Sequence, residues 1–89
     1  MGIEITTKMK SGIDQIVSKF HDLVPGLEIM WYYNPNSNMV SFSMNYHGEY
    51  KVLNVTSWLL SIGDYDYYIS EEIRKGLKNL FGIEEVDLT

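Results

Sequence analysis

The residues that could do acid–base or metal chemistry are few in this chain. Its two histidines are His21 and His47, and it has no cysteine. The absence of cysteine excludes a disulfide, a thiolate metal site and a cysteine nucleophile. A general base needs a partner that orients it, and no motif around either histidine supplies one. The sequence therefore predicts no catalytic residue, and we expect that the protein is not an enzyme.

Two acidic pairs, Asp64/Asp66 and Glu84/Glu85, are the remaining candidates for binding a hard cation. Calcium loops require oxygen ligands over a longer series of defined positions, which neither pair has. The sequence also has no glycine-rich phosphate loop, nucleophile elbow or paired-histidine zinc motif. We therefore expect these acids to be solvated charge, with no metal site and no cofactor.

The chain is acidic, and its acid is concentrated in the last third. Its net charge is −5, and residues 63–89 hold seven of the 12 acidic side chains against three basic ones. The electric field of this negative charge repels phosphate and attracts cationic groups before any contact forms. Nucleic acid is therefore disfavoured as a partner, and the basic surface of a larger protein is favoured.

Membrane insertion and export have no support in the sequence. No apolar stretch reaches the ~20 residues that cross a bilayer, and no basic start is followed by a long apolar run. We expect a cytoplasmic protein with no membrane contact. With 45% hydrophobic residues over a length of 89, the chain is expected to fold as a single domain, residues 1–89.

Residues 64–68 alternate acids with tyrosines and are the most unusual segment of the chain. Complete burial would enclose two carboxylates, whereas complete exposure would leave three tyrosine rings in water. Tyrosine is favoured at interfaces, and neighbouring carboxylates attract Lys and Arg of a partner. The sequence predicts a partner-binding surface here, with a plain connecting loop as the alternative. The predicted surface comprises Asp64, Tyr65, Asp66, Tyr67, Tyr68, Glu71 and Glu72.

Apolar periodicity predicts an N-terminal helix followed by three strands. Apolar residues three and four apart indicate the helix, and Pro25-Gly26 ends it. Alternating residues and turn signals indicate the strands. The helix is expected over residues 8–24, the strands over 27–33, 40–46 and 49–55, and the turns at 35–38 and 47–48.

The two turns fix the strand register independently of each other. A two-residue turn at His47-Gly48 pairs Phe42 with Leu53, and a four-residue loop at 35–38 pairs Trp31 with Phe42. Both registers place the apolar residues of the middle strand on one face. A slip of one residue in either would turn that apolar set towards solvent.

The remainder of the chain is expected to be helical in two parts. Residues 56–63 predict a short helical turn, and a final helix includes residues 70–81 with Ser70 as its N-cap. Residues 64–69 fit a strand, a loop or the start of that helix. Gly76 lies inside the helix, where glycine indicates a close approach of another element. The tail, residues 83–89, is expected to be short and extended.

These elements predict an α+β two-layer sandwich, a three-stranded antiparallel meander with the N-terminal and C-terminal helices packed on one face. The order of helix, three strands and helix resembles that of double-stranded-RNA-binding domains. Those domains begin their last helix with a basic run, whereas residues 69–74 here include Glu71 and Glu72. The resemblance therefore covers topology only, and fold alone does not confer function.

Three functions are compatible with these features. The first is a small non-enzymatic protein-binding module, such as an inhibitor, immunity protein or mobile-element accessory protein, that occludes a basic surface on its partner. The second is a small-ligand-binding domain with an aromatic pocket between sheet and helices. That pocket would be lined by Trp31, Tyr33, Tyr46, Glu49 and Trp58, although the two tryptophans, Tyr33 and Phe42 are more simply core residues. The third is a structural subunit that forms a homodimer or larger homo-oligomer by burying its outer sheet face.

Overall fold

A computed structural model describes residues 5–84 of the chain. Both helices pack on one face of a three-stranded antiparallel sheet, so the chain forms the predicted α+β two-layer sandwich. Within the described residues, no helix is long and apolar enough to cross a membrane. The elements are α1 (Thr7–Leu23), β1 (Leu27–Asn34), β2 (Met39–Tyr46), β3 (Glu49–Thr56), a 3-10 helix (Ser57–Ser61) and α2 (Tyr65–Phe81).

The predicted strand register is confirmed at both hairpins. Phe42 in the central strand β2 lies opposite Trp31 of β1 and opposite Leu53 of β3. His47 and Gly48 have φ angles of 52° and 85°, and positive φ at both central residues gives a turn whose twist matches that of the two strands. Phe42 is fully buried, so the apolar face of the middle strand lies in the core.

The core is one cluster of apolar side chains between the sheet and the two helices. Residues at helical spacing on α1 and α2 meet the alternating residues of the strands. The buried members are Ile13, Ile16, Phe20, Val24, Leu27, Ile29, Val40, Phe42, Met44, Val55, Leu60, Ile69, Ile73 and Leu77. Because all these contacts lie on one side, the opposite face of the sheet has no covering layer among the described residues.

The second helix begins earlier than residue 70. It starts at Tyr65 with Asp64 at its N-cap position, and Asp64 makes no side-chain capping hydrogen bond. Ser70 therefore lies inside the helix, and its predicted role as N-cap is wrong. Ile69 and Ile73 are both fully buried and lie one helical turn apart, so packing against the sheet extends the helix through the acidic tyrosine segment. At the other end Gly82 adopts a left-handed conformation and closes the helix after Phe81, the last residue of the predicted range. Of the predicted extended tail, residues 85–89 lie outside the described residues.

Gly76 marks the predicted close approach between α2 and β3. A Cβ atom on Gly76 would lie 3.0 Å from Cδ2 and 3.2 Å from Cδ1 of Leu53. These separations are shorter than the optimal distance of about 3.5–4.0 Å between carbon atoms. The helix can therefore pack this close to the sheet because position 76 has no side chain.

We predict that Gly76→Val lowers the free energy of unfolding by about 2 kcal/mol, since the added methyl groups force α2 and Leu53 apart. Gly63→Val is the matched control, because a Cβ at Gly63 meets no atom within 4 Å. The control is expected to change stability by less than about 0.5 kcal/mol. Urea unfolding followed by circular dichroism measures both, and equal stabilities would contradict the close packing of α2 on β3.

The hydroxyl of Tyr33 is buried and has no hydrogen-bond partner among the described residues. A buried polar group without a partner loses its hydrogen bonds to water and gains none in return. We therefore expect Tyr33→Phe to leave stability unchanged or to raise it by up to about 1 kcal/mol. Thermal unfolding of the two proteins measures the difference. A clear loss of stability in the variant would show that this hydroxyl is hydrogen-bonded.

Candidate interaction surface

The first turns of α2 present two tyrosine rings to solvent. The side chains of Tyr67 and Tyr68 are 60% and 42% exposed. Their rings meet edge to face with centroids 5.3 Å apart, which is a favourable geometry for an aromatic pair. Asp64, one turn before Tyr68, is exposed beside them. We call Asp64, Tyr67 and Tyr68 the α2 tyrosine surface.

The helical repeat explains why these rings point away from the core. Ile69 and Ile73 are fully buried and define the inner side of α2. With 3.6 residues per turn, or about 100° per residue, Tyr68 lies about 100° and Tyr67 about 200° around the helix from Ile69. Packing of the two isoleucines on the sheet therefore turns both tyrosines to the outer surface.

Tyr65 does not belong to this surface. It is half-buried and packs against α1. Its hydroxyl lies so close to Gly12 that a Cβ atom there would be 2.5 Å from the hydroxyl oxygen. Tyr65 therefore contributes to the contact between the helices, and the sequence prediction grouped it with residues that face the other way.

Asp66 also points elsewhere, into a cleft between α1 and α2. The cleft has a volume of about 500 Å³, and its lining includes Lys8, Lys19 and Tyr65 besides Asp66. One carboxylate oxygen of Asp66 accepts a hydrogen bond of 2.9 Å from the backbone N–H of Tyr67. The negative charge of Asp66 thus lies next to the N-terminus of α2 and near basic side chains of α1, where it is favourable.

Glu71 and Glu72 add less negative charge to the surface than their number suggests. Glu71 accepts a hydrogen bond from the guanidinium of Arg74 and forms an ion pair with it. The hydrogen bond and the charge of Glu71 raise the pKa of Arg74 above its usual value, and the Arg74 cation offsets the charge of Glu71. Glu72 is half-buried. Asp64 is exposed, and as the N-cap residue of α2 it lies one helical turn before Tyr68.

Trp58 is exposed, and its predicted place in the core is wrong. Its side chain is 64% exposed, whereas Ser57 and Leu60 in the same 3-10 helix are buried. Residues three apart in a 3-10 helix share one side, so burial of Ser57 and Leu60 turns Trp58 outward. The 3-10 helix packs against α2. Trp58 is thus a further exposed aromatic residue, on the element that precedes α2. The three-residue spacing was the sequence signal for its exposure.

The residues of the predicted aromatic pocket lie at opposite ends of the sheet. Tyr46 and Glu49 pair with each other at the turn end of β2 and β3, where the ring of Tyr46 contacts Phe81 at 5.8 Å between centroids. Tyr33 lies towards the other end, opposite Val40 of β2. Val40 and Tyr46 are six positions apart along that strand. At about 3.3 Å per residue this is roughly 20 Å, so the five residues do not line one cavity.

Trp31, the remaining pocket candidate, has a structural contact. Its indole Nε1–H donates a hydrogen bond of 2.7 Å to a carboxylate oxygen of Asp14. This bond connects β1 to α1 near the centre of the strand. Trp31 is half-buried and packs against the core, as expected for a residue on the inner face of the sheet.

The two histidines lie at loop and helix ends. His21, in the last turn of α1, donates a hydrogen bond of 2.8 Å from Nδ1 to the carbonyl oxygen of Leu27. His47 lies in the β2–β3 turn with its ring 4.0 Å from that of Tyr46. Within residues 5–84, no group of three His, Cys, Asp or Glu side chains is placed to hold a metal ion.

Comparison with known proteins finds no family model, curated protein or solved structure that matches this chain.

The different orientations of the tyrosines predict different effects of truncation. We expect Tyr65→Ala to lower the free energy of unfolding by about 1–2 kcal/mol, because it removes half-buried ring area between the helices. Tyr67→Ala removes an exposed ring and is expected to change stability by less than about 0.5 kcal/mol. Urea unfolding compares the two variants. An equal loss in both would contradict the outward orientation of Tyr67.

Proposed function

We propose that this protein is a non-enzymatic binding module that uses the α2 tyrosine surface to cover a basic surface on a larger protein. The observation that supports the proposal is the exposed edge-to-face pair of Tyr67 and Tyr68 rings, with the exposed N-cap residue Asp64 one helical turn before Tyr68. The acidic net charge of −5 favours the same class of partner. Binding would act by occlusion, as in an inhibitor, an immunity protein or an accessory protein of a mobile element.

The chemistry of the surface fits Lys and Arg side chains of a partner. An aromatic face attracts a cation within about 6 Å of the ring centroid. Tyrosine also keeps a hydroxyl that can hydrogen-bond at the rim of a contact, so a ring can be covered without loss of its polar group. Asp64 supplies a charged acceptor next to the rings, and such acceptors steer a cationic partner towards the contact.

A rigid base supports the proposed contact. Both tyrosines are on a regular helix whose opposite side is held by the fully buried Ile69 and Ile73. Little conformational freedom of the backbone would then be lost on binding.

The test is capture from a lysate of the native host with the immobilised chain, followed by mass spectrometry. The double variant Asp64→Asn, Tyr67→Ser is expected to lose the captured partner, since it removes the acceptor and one ring. The matched control is Asp22→Asn, Leu23→Ser, which removes one exposed acid and one exposed apolar side chain on α1. Equal capture by the wild type and both variants would overturn the proposal.

A gain of affinity is predicted for Arg74→Gln. The change removes a cation next to Tyr67 and leaves the carboxylate of Glu71 without its ion pair. A basic partner should then bind about twofold to fivefold more tightly, with a faster association rate at low salt. Surface plasmon resonance with the captured partner measures both. Weaker binding of this variant would contradict a cationic partner surface.

A further inference from the structure

The outer face of the sheet carries large side chains that no described part of the chain covers. Met30, Tyr32, Tyr50 and Val52 are 74%, 53%, 63% and 39% exposed. All four lie on the same face, because each alternates along its strand with the residues that enter the core. Exposed apolar groups of this kind mark interaction sites when they are contiguous.

The four side chains form two ridges with a trough between them. Met30 and Tyr32 are on β1, and Tyr50 and Val52 are on β3, at the two edges of the sheet. The central strand contributes small polar side chains to this face, Ser41, Ser43 and Asn45. A shallow cleft of about 190 Å³ lies in the trough, with Met30, Ser43 and Tyr50 among its lining residues.

The hydroxyls on the floor of the trough are already hydrogen-bonded within the sheet. Ser41 donates a bond of 2.6 Å to the side-chain oxygen of Asn54, and Ser43 accepts one of 3.3 Å from the hydroxyl of Tyr50. Ser41 is only 4% exposed and its hydroxyl hydrogen already has a partner, so a second surface can cover Ser41 without leaving that donor unpaired.

The face is almost without charge in a strongly acidic chain. The residues that the register places on it are Glu28, Met30, Tyr32, Asn34, Met39, Ser41, Ser43, Asn45, Tyr50, Val52, Asn54 and Thr56. Glu28, at one end of β1, is the single charged residue among them. A cationic partner would find little attraction on this face, whereas a second copy of the chain would meet little repulsion.

We infer that this face binds a second copy of the same chain, forming a symmetric dimer by sheet-on-sheet packing. A two-fold axis between the sheets, with an offset of about one strand spacing of 4.8 Å, places a ridge of each copy over the trough of the other. Such a contact is self-complementary, as an isologous interface requires. The dimer leaves the α2 tyrosine surface free, because that surface lies on the opposite side of the sandwich.

The size of the face sets the expected affinity of the proposed dimer. With an offset of one strand, two strands of each copy face each other over roughly 26 Å by 10 Å. This is well below the ~800 Å² per partner of a standard protein–protein interface, so a weak, concentration-dependent dimer is expected. Since the face is almost without charge, the dimer should persist at high salt.

Sedimentation equilibrium of the full chain over a wide concentration range, at low and high salt, tests the inference. Met30→Asp and Tyr50→Asp each place a charge on one of the two ridges, and the variant whose ridge enters the trough of the other copy is expected to weaken the dimer at least tenfold. The control Tyr67→Asp makes the same change at an equally exposed tyrosine on α2 and should leave the dissociation constant unchanged. Circular dichroism confirms that the variants are folded.

Two results would overturn the inference. One is a chain that stays monomeric at every concentration. The other is a dimer that Met30→Asp and Tyr50→Asp leave intact, which would place the contact at a strand edge or on the helices. Neither result depends on the proposed partner of the α2 tyrosine surface.

Discussion

The alternation of side chains along the central strand β2 is the constraint on which the rest of the structure depends. Val40, Phe42 and Met44 are fully buried, and the residues between them point to the other face. Because β2 pairs with both neighbours, its register fixes which side chains of β1 and β3 meet the helices. A shift of one residue would exchange the two faces and expose the core.

This constraint also determines where the two proposed interaction surfaces lie. Covering one sheet face with both helices leaves the outer face open, with Met30 and Tyr50 as its most exposed side chains. Packing of Ile69 and Ile73 on the inner face turns Tyr67 and Tyr68 away from the sheet. The two groups of exposed rings are therefore on opposite sides of the sandwich, so the proposed contacts with a cationic protein and with a second copy would not overlap.

The sheet could be predicted from the sequence, because two turns of different type imposed the same register on Phe42. The candidate site was harder to predict. Its residues alternate like a strand, but Tyr65, Ile69 and Ile73 also recur at the four-residue spacing of a helix. Local periodicity leaves both open, and the tertiary contact of Ile69 and Ile73 with the core continues the helix back to Tyr65. The same contact sends Tyr65 inward against Gly12 and Tyr67 outward. Trp58 was misplaced because its ring alone suggested burial, whereas the three-residue repeat of the 3-10 helix decides its side.

In this fold β2 buries its apolar alternate residues beneath the helices and turns Ser41 and Ser43 to the opposite face of the sheet. Nuclear Overhauser contacts in solution test this directly. We expect cross-strand contacts from Met44 to Ile29 and to Lys51. We also expect contacts from the Phe42 ring to methyl groups of α1 and α2. Cross-strand contacts displaced by one residue, or a Phe42 ring without helix contacts, would contradict it.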